Sequence, residues 1–104
     1  MSGSGGSYTP GGPPSGDCNI VERTPLNSPK SGILSQLKKG DVLDIQPSDD
    51  KRSIVAVKPG VGVAGSLTPR RLADLLECIE QGRKYKATVV ELKGAFCEVE
   101  IRPR

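Results

Sequence analysis

The chain has 104 residues, of which 35% are hydrophobic and only 3% aromatic, and its formal net charge is +3. This length favours one small domain with an aliphatic core, and the mild basic charge permits a nucleic-acid partner without requiring one. No apolar run long enough for a membrane-spanning helix and no signal-peptide pattern occur, so we expect a cytoplasmic protein that does not enter a membrane.

The chain begins with a stretch that is nearly all Gly, Ser and Pro. Such a composition cannot bury enough apolar surface to offset the entropy lost on ordering. We therefore predict a disordered tail over residues 1–17 and a single small β-barrel-like domain over residues 18–104.

Short apolar runs bounded by turn residues follow this tail, a pattern typical of β-strands. We predict strands over 18–24, 42–46, 53–57 and 61–67, and one helical turn over 33–37 with Ser31 as a candidate cap. Gly62 and Gly65 remove side chains from the last of these strands. They indicate a bend or the close approach of another backbone.

One amphipathic helix is predicted from about residue 69 to residue 81. Thr68 suits the N-cap and Pro69 the first helical position, while Gly82 suits the position just after the helix. The apolar stripe of this helix consists of Leu72, Leu75, Leu76 and Ile79. We expect the stripe to pack against the sheet, so Leu76→Asp should unfold the domain by burying an unpaired charge.

The chain ends in a predicted hairpin with strands over 85–91 and 95–101. A three-residue loop with Gly94 in the left-handed position makes one face almost wholly apolar and pairs Lys86 with Glu100 as a cross-strand ion pair. A two-residue loop would place charged residues opposite apolar ones, so the pattern favours the longer loop.

These elements define the expected fold class. About five to six short strands with one helix and no β-α-β alternation predict a mostly β (α+β) protein. The best fit is a small bent antiparallel sheet or barrel, with the helix near residues 69–81 closing one end.

Three motifs occur in a fixed order: Gly40-Asp41-x-Leu43, then Ile54-Val55-Ala56-Val57, then Gly62-x-x-Gly65 leading through Pro69 into the helix. Their order over residues 32–89 resembles the HIRAN domain family. This resemblance implies a small barrel that binds single-stranded or end-frayed DNA through basic and aromatic residues, although Ser66 stands where the family has an aromatic. The chain also resembles small uncharacterised bacterial proteins with Gly/Ser-rich N-termini.

Arg70 and Arg71 are the leading candidates for an anion site. They lie in the first turn of the predicted helix, where free amides and the helix dipole favour a phosphate group. Other cations lie in loops that could border the same edge: Lys38, Lys39, Lys51, Arg52 and Lys58. The alternative interpretation is a set of solvated charges, with Arg70 paired to Asp74 one turn on.

The chain has three cysteines and no histidine. An odd count without an export signal favours reduced thiols for Cys18, Cys78 and Cys97, but one disulfide involving Cys18 stays open for an oxidising compartment. A zinc site lacks a fourth ligand, and a cysteine nucleophile lacks an imidazole base. We therefore predict no catalytic residue, no metal site, no cofactor and no enzymatic activity.

Together these features favour a non-enzymatic binding module. Its expected partner is single-stranded DNA or another phosphate-bearing ligand, held by Arg70, Arg71 and the nearby lysines. The alternative is a protein–protein interaction or regulatory module.

Overall fold

The computed structural model describes residues 18–104, so the predicted disordered tail over residues 1–17 lies outside the described residues. Its elements are β1 (Glu22–Pro25), α1 (Ser31–Leu34), β2 (Val42–Pro47), β3 (Ile54–Lys58), β4 (Gly62–Leu67), α2 (Leu72–Glu80), β5 (Tyr85–Lys93) and β6 (Phe96–Pro103). The predicted mostly β class with one amphipathic helix is confirmed. The first strand starts four residues later than predicted, and the short helix α1 has no side-chain cap from Ser31.

The six strands form one antiparallel sheet in the order β1-β6-β5-β2-β3-β4. The sheet curls into a half-barrel, and its two sides meet where the backbones of Asn27 and Ser66 exchange hydrogen bonds of 2.8 and 3.1 Å. Because neighbouring strands run in opposite directions, their connections alternate between two ends. We call the end that carries α2 the helix end, and the end that carries α1 and the β5–β6 loop the turn end.

The core is aliphatic, as the composition predicts. Its largest fully buried side chains come from both sides of the half-barrel and from α2: Ile20, Leu43, Ile54, Leu67, Leu75, Val89, Val99 and Ile101. In β5 and β6 every second residue points inward, which is the alternation expected of strands with one buried face.

Close backbone approach at Gly65 is the reason why the sheet can curl. A Cβ atom on this glycine would lie 3.0 Å from the Asn27 carbonyl oxygen and 3.4 Å from the Cα of Pro29. A register shift in the β3–β4 pairing leaves Ala64 as an extra residue, so that Ala64 and Gly65 are both buried. The predicted bend and close approach are therefore confirmed.

Helix α2 starts at Leu72, three residues later than predicted, and Thr68 does not cap it. The Thr68 hydroxyl instead accepts a hydrogen bond of 2.8 Å from the Asn27 side-chain amide. The predicted end is confirmed, because Gly82 has a φ of +96° and the Arg83 amide donates to the carbonyl of Cys78 at 3.0 Å.

The apolar stripe of α2 faces the core mainly through Leu75, which is 0% exposed. Leu72, Leu76 and Ile79 are half-buried and pack against the edge of the core. The residue whose replacement should disturb the core most is therefore Leu75 and not the Leu76 singled out from periodicity.

The hairpin register differs from the prediction. Lys93 pairs with Phe96, which leaves a two-residue loop with Gly94 at a φ of +58°. A register shift between Val89 and Glu91 then inserts Val90 as an extra residue. This bulge restores the alternation, so the inward face stays apolar even though the loop is short.

The predicted ion pair between Lys86 and Glu100 is wrong for the same reason. Lys86 lies opposite Arg102 in the observed register. Glu100 instead pairs with Arg102 at 2.9 Å and with Arg23 on β1 at 3.4 Å.

Candidate nucleic-acid interface

The start of α2, the anion site predicted from sequence, already holds a carboxylate of the chain itself. The Glu22 side chain on β1 accepts hydrogen bonds from the backbone amides of Arg70 at 2.5 Å and Arg71 at 3.3 Å. Amides at a helix start favour an anion, and here Glu22 supplies it. Both amides therefore already donate a hydrogen bond to Glu22 and are not open to an external phosphate.

The two guanidinium groups at this position differ in their partners. Arg71 forms an ion pair with Asp74 at 3.2 Å, which is the pairing proposed from sequence for Arg70. The Arg70 side chain is exposed and its guanidinium has no partner among residues 18–104. A shallow depression of about 430 Å³ at this place is lined by Arg70, Arg71, Val21, Glu22 and Arg23.

The other predicted cations do not all lie at the end that carries Arg70 and Arg71, so the expectation of one shared edge is wrong for Lys38, Lys39 and Lys58. Lys38, Lys39 and Lys58 belong to the turn end, whereas Lys51 and Arg52 lie in the β2–β3 loop at the helix end. The structure brings Lys51 close to Leu76 and Ile79 of α2, around a small and largely apolar pocket of about 320 Å³.

Two of the turn-end lysines are arranged around Asp41. Its carboxylate accepts a hydrogen bond of 3.0 Å from the Lys38 backbone amide and lies 3.4 Å from the Lys58 ammonium nitrogen. The amide of Lys38, with the nearby charge of Lys58, lowers the pKa of Asp41 below its usual value. At least Lys38 and Lys58 therefore take part in a structural turn.

A second group of cations, which the sequence interpretation did not single out, surrounds a groove at the helix end. The groove has a volume of about 570 Å³ and lies between the last turn of α2, the start of β5 and the edge of β2. We call it the basic groove; its lining includes Arg83, Lys84, Arg104, Asp44, Ile79 and Tyr85.

Local structure explains how the cations reach this groove. Arg83 follows directly after the glycine that ends α2, where a positive side chain complements the helix dipole. The Arg104 amide donates to the Lys84 carbonyl at 2.9 Å, which continues the β5–β6 pairing beyond the strand ends. The Arg104 guanidinium forms an ion pair with Asp44 of β2.

The charge of this region is positive on balance. Asp44 is the one carboxylate among the residues that line the groove, against three cations. Lys86 and Arg102 lie opposite each other on the adjoining outer face, and Lys86 also faces Asp44. The hydrogen bond from Arg102 lowers the pKa of Glu100, so this neighbouring carboxylate stays ionised.

A signal for the basic groove was present in the sequence. Lys84 and Lys86, like Arg102 and Arg104, are spaced two residues apart at the ends of paired strands. Period-two spacing places both members of a pair on one face of a sheet. The incorrect hairpin register assigned Lys86 to Glu100 and hid this arrangement.

The cysteine prediction needs one correction. Cys18 and Cys78 form a disulfide, so the expectation of three reduced thiols is wrong and the alternative that involved Cys18 is the one observed. Cys97 is free and buried, and burial raises the pKa of its thiol. A thiol that resists ionisation is a poor nucleophile.

No group of three or more His, Cys, Asp or Glu side chains within residues 18–104 is placed to hold a metal ion. None of the helices formed by the same residues is long and apolar enough to cross a membrane.

Comparison with known proteins is informative about the fold. No family model and no curated protein match the chain. A crystal structure of a Lactobacillus plantarum protein, determined by a structural genomics consortium, is similar with a TM-score of 0.67 and 12% identity, covering 82% of this chain and 96% of that chain. A likeness at this identity shows a shared fold, and the resemblance to HIRAN domains stays a prediction.

Proposed function

We propose that the chain is a non-enzymatic binding module that holds a nucleic acid by its phosphate backbone in the basic groove. The observation that supports this most is the convergence of Arg83, Lys84 and Arg104 on one concave surface with a single carboxylate, Asp44. Two separate parts of the chain, residues 83–84 and residue 104, contribute these cations, so the fold itself assembles the positive surface.

The chemistry of the groove suits phosphates. An arginine guanidinium can donate two parallel hydrogen bonds to one phosphate group, and a lysine ammonium adds a compact charge. Arg104 is already paired with Asp44, whereas the Arg83 and Lys84 side chains have no carboxylate partner among residues 18–104. Each neutralised phosphate releases condensed counterions, so about two contacts to a single strand give a slope of about −1.4 in log affinity against log salt. The expected binding is modest, salt-sensitive and independent of base sequence.

The cations predicted from the sequence contribute less to the proposed binding than those of the basic groove. Arg70 is at the same end of the half-barrel and carries an exposed guanidinium, so it can extend the path of a bound strand. Arg71 is paired with Asp74, and Lys38, Lys39 and Lys58 lie at the opposite end. Lys51 and Arg52 lie in a helix-end loop, and Lys51 borders the small apolar pocket.

The alternative is a protein-interaction module, and the apolar pocket favours it. Leu76, Ile79 and Pro47 line this pocket together with Lys51 and Glu80, and the pocket shares Ile79 with the basic groove. An acidic peptide with one apolar anchor would fit both parts. Failure of an oligonucleotide to bind would favour this alternative.

The proposal is tested by titrating the protein into a fluorescent oligonucleotide of about 20 nucleotides and following anisotropy at about 20 and 200 mM salt. The test variant is Arg83→Glu/Lys84→Glu, in the basic groove. The matched control is Lys38→Glu/Lys39→Glu, which makes the same change in net charge at the turn end.

At about 200 mM salt we expect the groove variant to lose at least about tenfold in affinity and the control less than about threefold, because charges farther apart than the Debye length are largely screened there. A parallel Arg70→Glu/Arg71→Glu variant should give an intermediate loss. Equal losses in the groove and control variants, or no binding by the natural chain at low salt, would overturn the proposal.

A further inference from the structure

Residues 18–22 form a strap that runs along α2 in the direction opposite to the helix. At one end of the strap Glu22 binds the amides of Arg70 and Arg71, and at the other Cys18 is bonded to Cys78 in the last helical turn. Four extended residues span about 13 Å, and the seven residue steps from Arg71, just before the helix, to Cys78 span about 11 Å at the helical rise. The two paths are therefore similar in length, and the strap is attached at both of its ends.

The middle of the strap is anchored by packing. Ile20 is 0% exposed, whereas its neighbours Asn19 and Val21 are exposed. Cys18 and Cys78 are themselves buried at 8% and 5% exposure. Because Ile20 and both cysteines are buried, access to the sulfur atoms requires that the strap lift from α2 and withdraw Ile20 from the core.

Both cysteines are connected by hydrogen bonds to residues that line the basic groove. The Tyr85 hydroxyl donates to the Cys18 carbonyl, and the Arg83 amide donates to the Cys78 carbonyl at 3.0 Å. Ile79, which also lines the groove, directly follows Cys78 in the chain. Arg83, Tyr85 and Ile79 of the groove thus each lie one hydrogen bond or one peptide bond from a half-cystine.

We infer that the Cys18–Cys78 disulfide is a redox-controlled clasp that sets the affinity of the basic groove for polyanions. The inference rests on the proposed function, since it concerns regulation of the same groove. In the oxidised state the clasp fixes Arg83 and Tyr85 relative to Lys84 and Arg104. Reduction removes the covalent link between the strap and α2, so the strap keeps its non-covalent contacts, among them those of Ile20, Glu22 and the Cys18 carbonyl, and the groove loses part of its fixed geometry.

The switching step is thiol–disulfide exchange with a dithiol reductant. One thiolate of the reductant attacks a sulfur of the Cys18–Cys78 bond to give a mixed disulfide, and its second thiolate then displaces the protein sulfur. The protein disulfide takes up two electrons and two protons and becomes two thiols, while the dithiol becomes a disulfide. Cys97 takes no part in this exchange.

The test compares oxidised and dithiothreitol-reduced protein with two readouts. The first is anisotropy of the same labelled oligonucleotide at low salt. The second, which needs no ligand, is amide hydrogen exchange at Arg83. We expect reduction to weaken binding at least about fivefold and to accelerate exchange at Arg83, while the Val89 amide, which donates to the Asp41 carbonyl in the sheet, stays protected.

Two variants serve as controls. Cys18→Ala/Cys78→Ala should bind the oligonucleotide as weakly as the reduced natural chain, and the reductant should not change its affinity. Cys97→Ala should show the same difference in affinity between the oxidised and reduced states as the natural chain. Binding that is tight and equal in both states would overturn the clasp and leave the proposed function standing. Absence of oligonucleotide binding in both states would overturn the proposed function, and with it the proposal that the clasp controls binding. Unchanged exchange at Arg83 contradicts the clasp whatever the oligonucleotide does.

Discussion

Both ends of the half-barrel contain a carboxylate that accepts hydrogen bonds from backbone amides, but the partners are separated by very different distances along the chain. At the helix end, the Glu22 carboxylate accepts hydrogen bonds from amides that lie 48 and 49 residues away. At the turn end, the Asp41 carboxylate accepts one from the Lys38 amide, three residues away. The Glu22 carboxylate therefore joins distant segments, whereas the Asp41 carboxylate shapes a local turn and reaches no further along the chain than Lys58, 17 residues away.

This difference shows that the structure of the helix end depends on contacts between segments distant in sequence. The helix end combines Glu22 with a disulfide across 60 residues and with the Arg104–Asp44 ion pair. The turn end relies on local geometry, including positive φ angles at Gly40, Gly60 and Gly94. Long-range links hold the segments that form the basic groove, so a change at the helix end should affect both stability and binding.

Removal of the disulfide should have the largest effect. Cross-linking residues 60 positions apart restricts the unfolded chain, so Cys18→Ala/Cys78→Ala should lower the free energy of unfolding by about 2–4 kcal/mol. Urea unfolding of the oxidised natural chain and of the variant measures this difference. Reduction of the natural chain should give a similar loss, whereas a loss below about 1 kcal/mol would mean that the strap contributes little.

Replacement of Glu22 should have the second-largest effect. Glu22→Ala leaves the Arg70 and Arg71 amides without their carboxylate, which should cost about 1–2 kcal/mol. The control is Glu91→Ala, which removes an exposed strand glutamate and should stay within about 0.5 kcal/mol of the natural chain. Urea unfolding measures the free energy of unfolding of both variants. An equal decrease in both would show that the hydrogen bonds of Glu22 do not contribute specifically to stability.

Elements with strong local signals were predictable from the sequence. The period-two strands, the Gly82 end of α2 and the close approach at Gly65 all depend on side-chain size or backbone freedom at single positions. The helix end at Gly82 and the close approach at Gly65 appear where the local pattern places them. The strands appear with shifted ends, since β1 begins four residues later than predicted and β5 and β6 each end two residues later.

The start of α2 and the hairpin register were mispredicted because a non-local or compensating feature decided them. The Thr68 hydroxyl binds the Asn27 side-chain amide and therefore does not cap the helix. The carboxylate that binds the amide just before the helix belongs to Glu22 on the distant strand β1. The Val90 bulge allows a two-residue loop that simple alternation excludes. No pattern within one segment reveals either feature.

The candidate site was only partly predictable for a related reason. Arg70 and Arg71 were found by their position at a helix start, but the partner that satisfies their amides comes from β1. The basic groove unites residues 83–84 with residue 104, which meet only because β5 and β6 are paired. Correct strand register is therefore a condition for finding this groove.

The third and smallest effect concerns Asp41 and tests whether the turn end is a local unit. Because its pKa is lowered in the folded chain by the Lys38 amide and then by Lys58, its contribution to stability is complete above the unfolded-state pKa of about 3.9. That contribution is lost as the pH falls through the lower folded-state value. Asp41→Asn should therefore be less stable than the natural chain at neutral pH and approach it in strong acid.

Urea unfolding of both chains between about pH 7 and pH 2 measures this convergence. Asp49→Asn is the matched control, since Asp49 is exposed and has no hydrogen-bond partner among residues 18–104; its unfolding curve should follow the natural chain throughout. If the turn is a local unit, Asp41→Asn should also leave oligonucleotide affinity in the basic groove unchanged. A stability difference that persists undiminished at low pH would assign the effect to the lost shape of the turn and not to the ionised carboxylate, and a fall in affinity would show that the two ends are coupled.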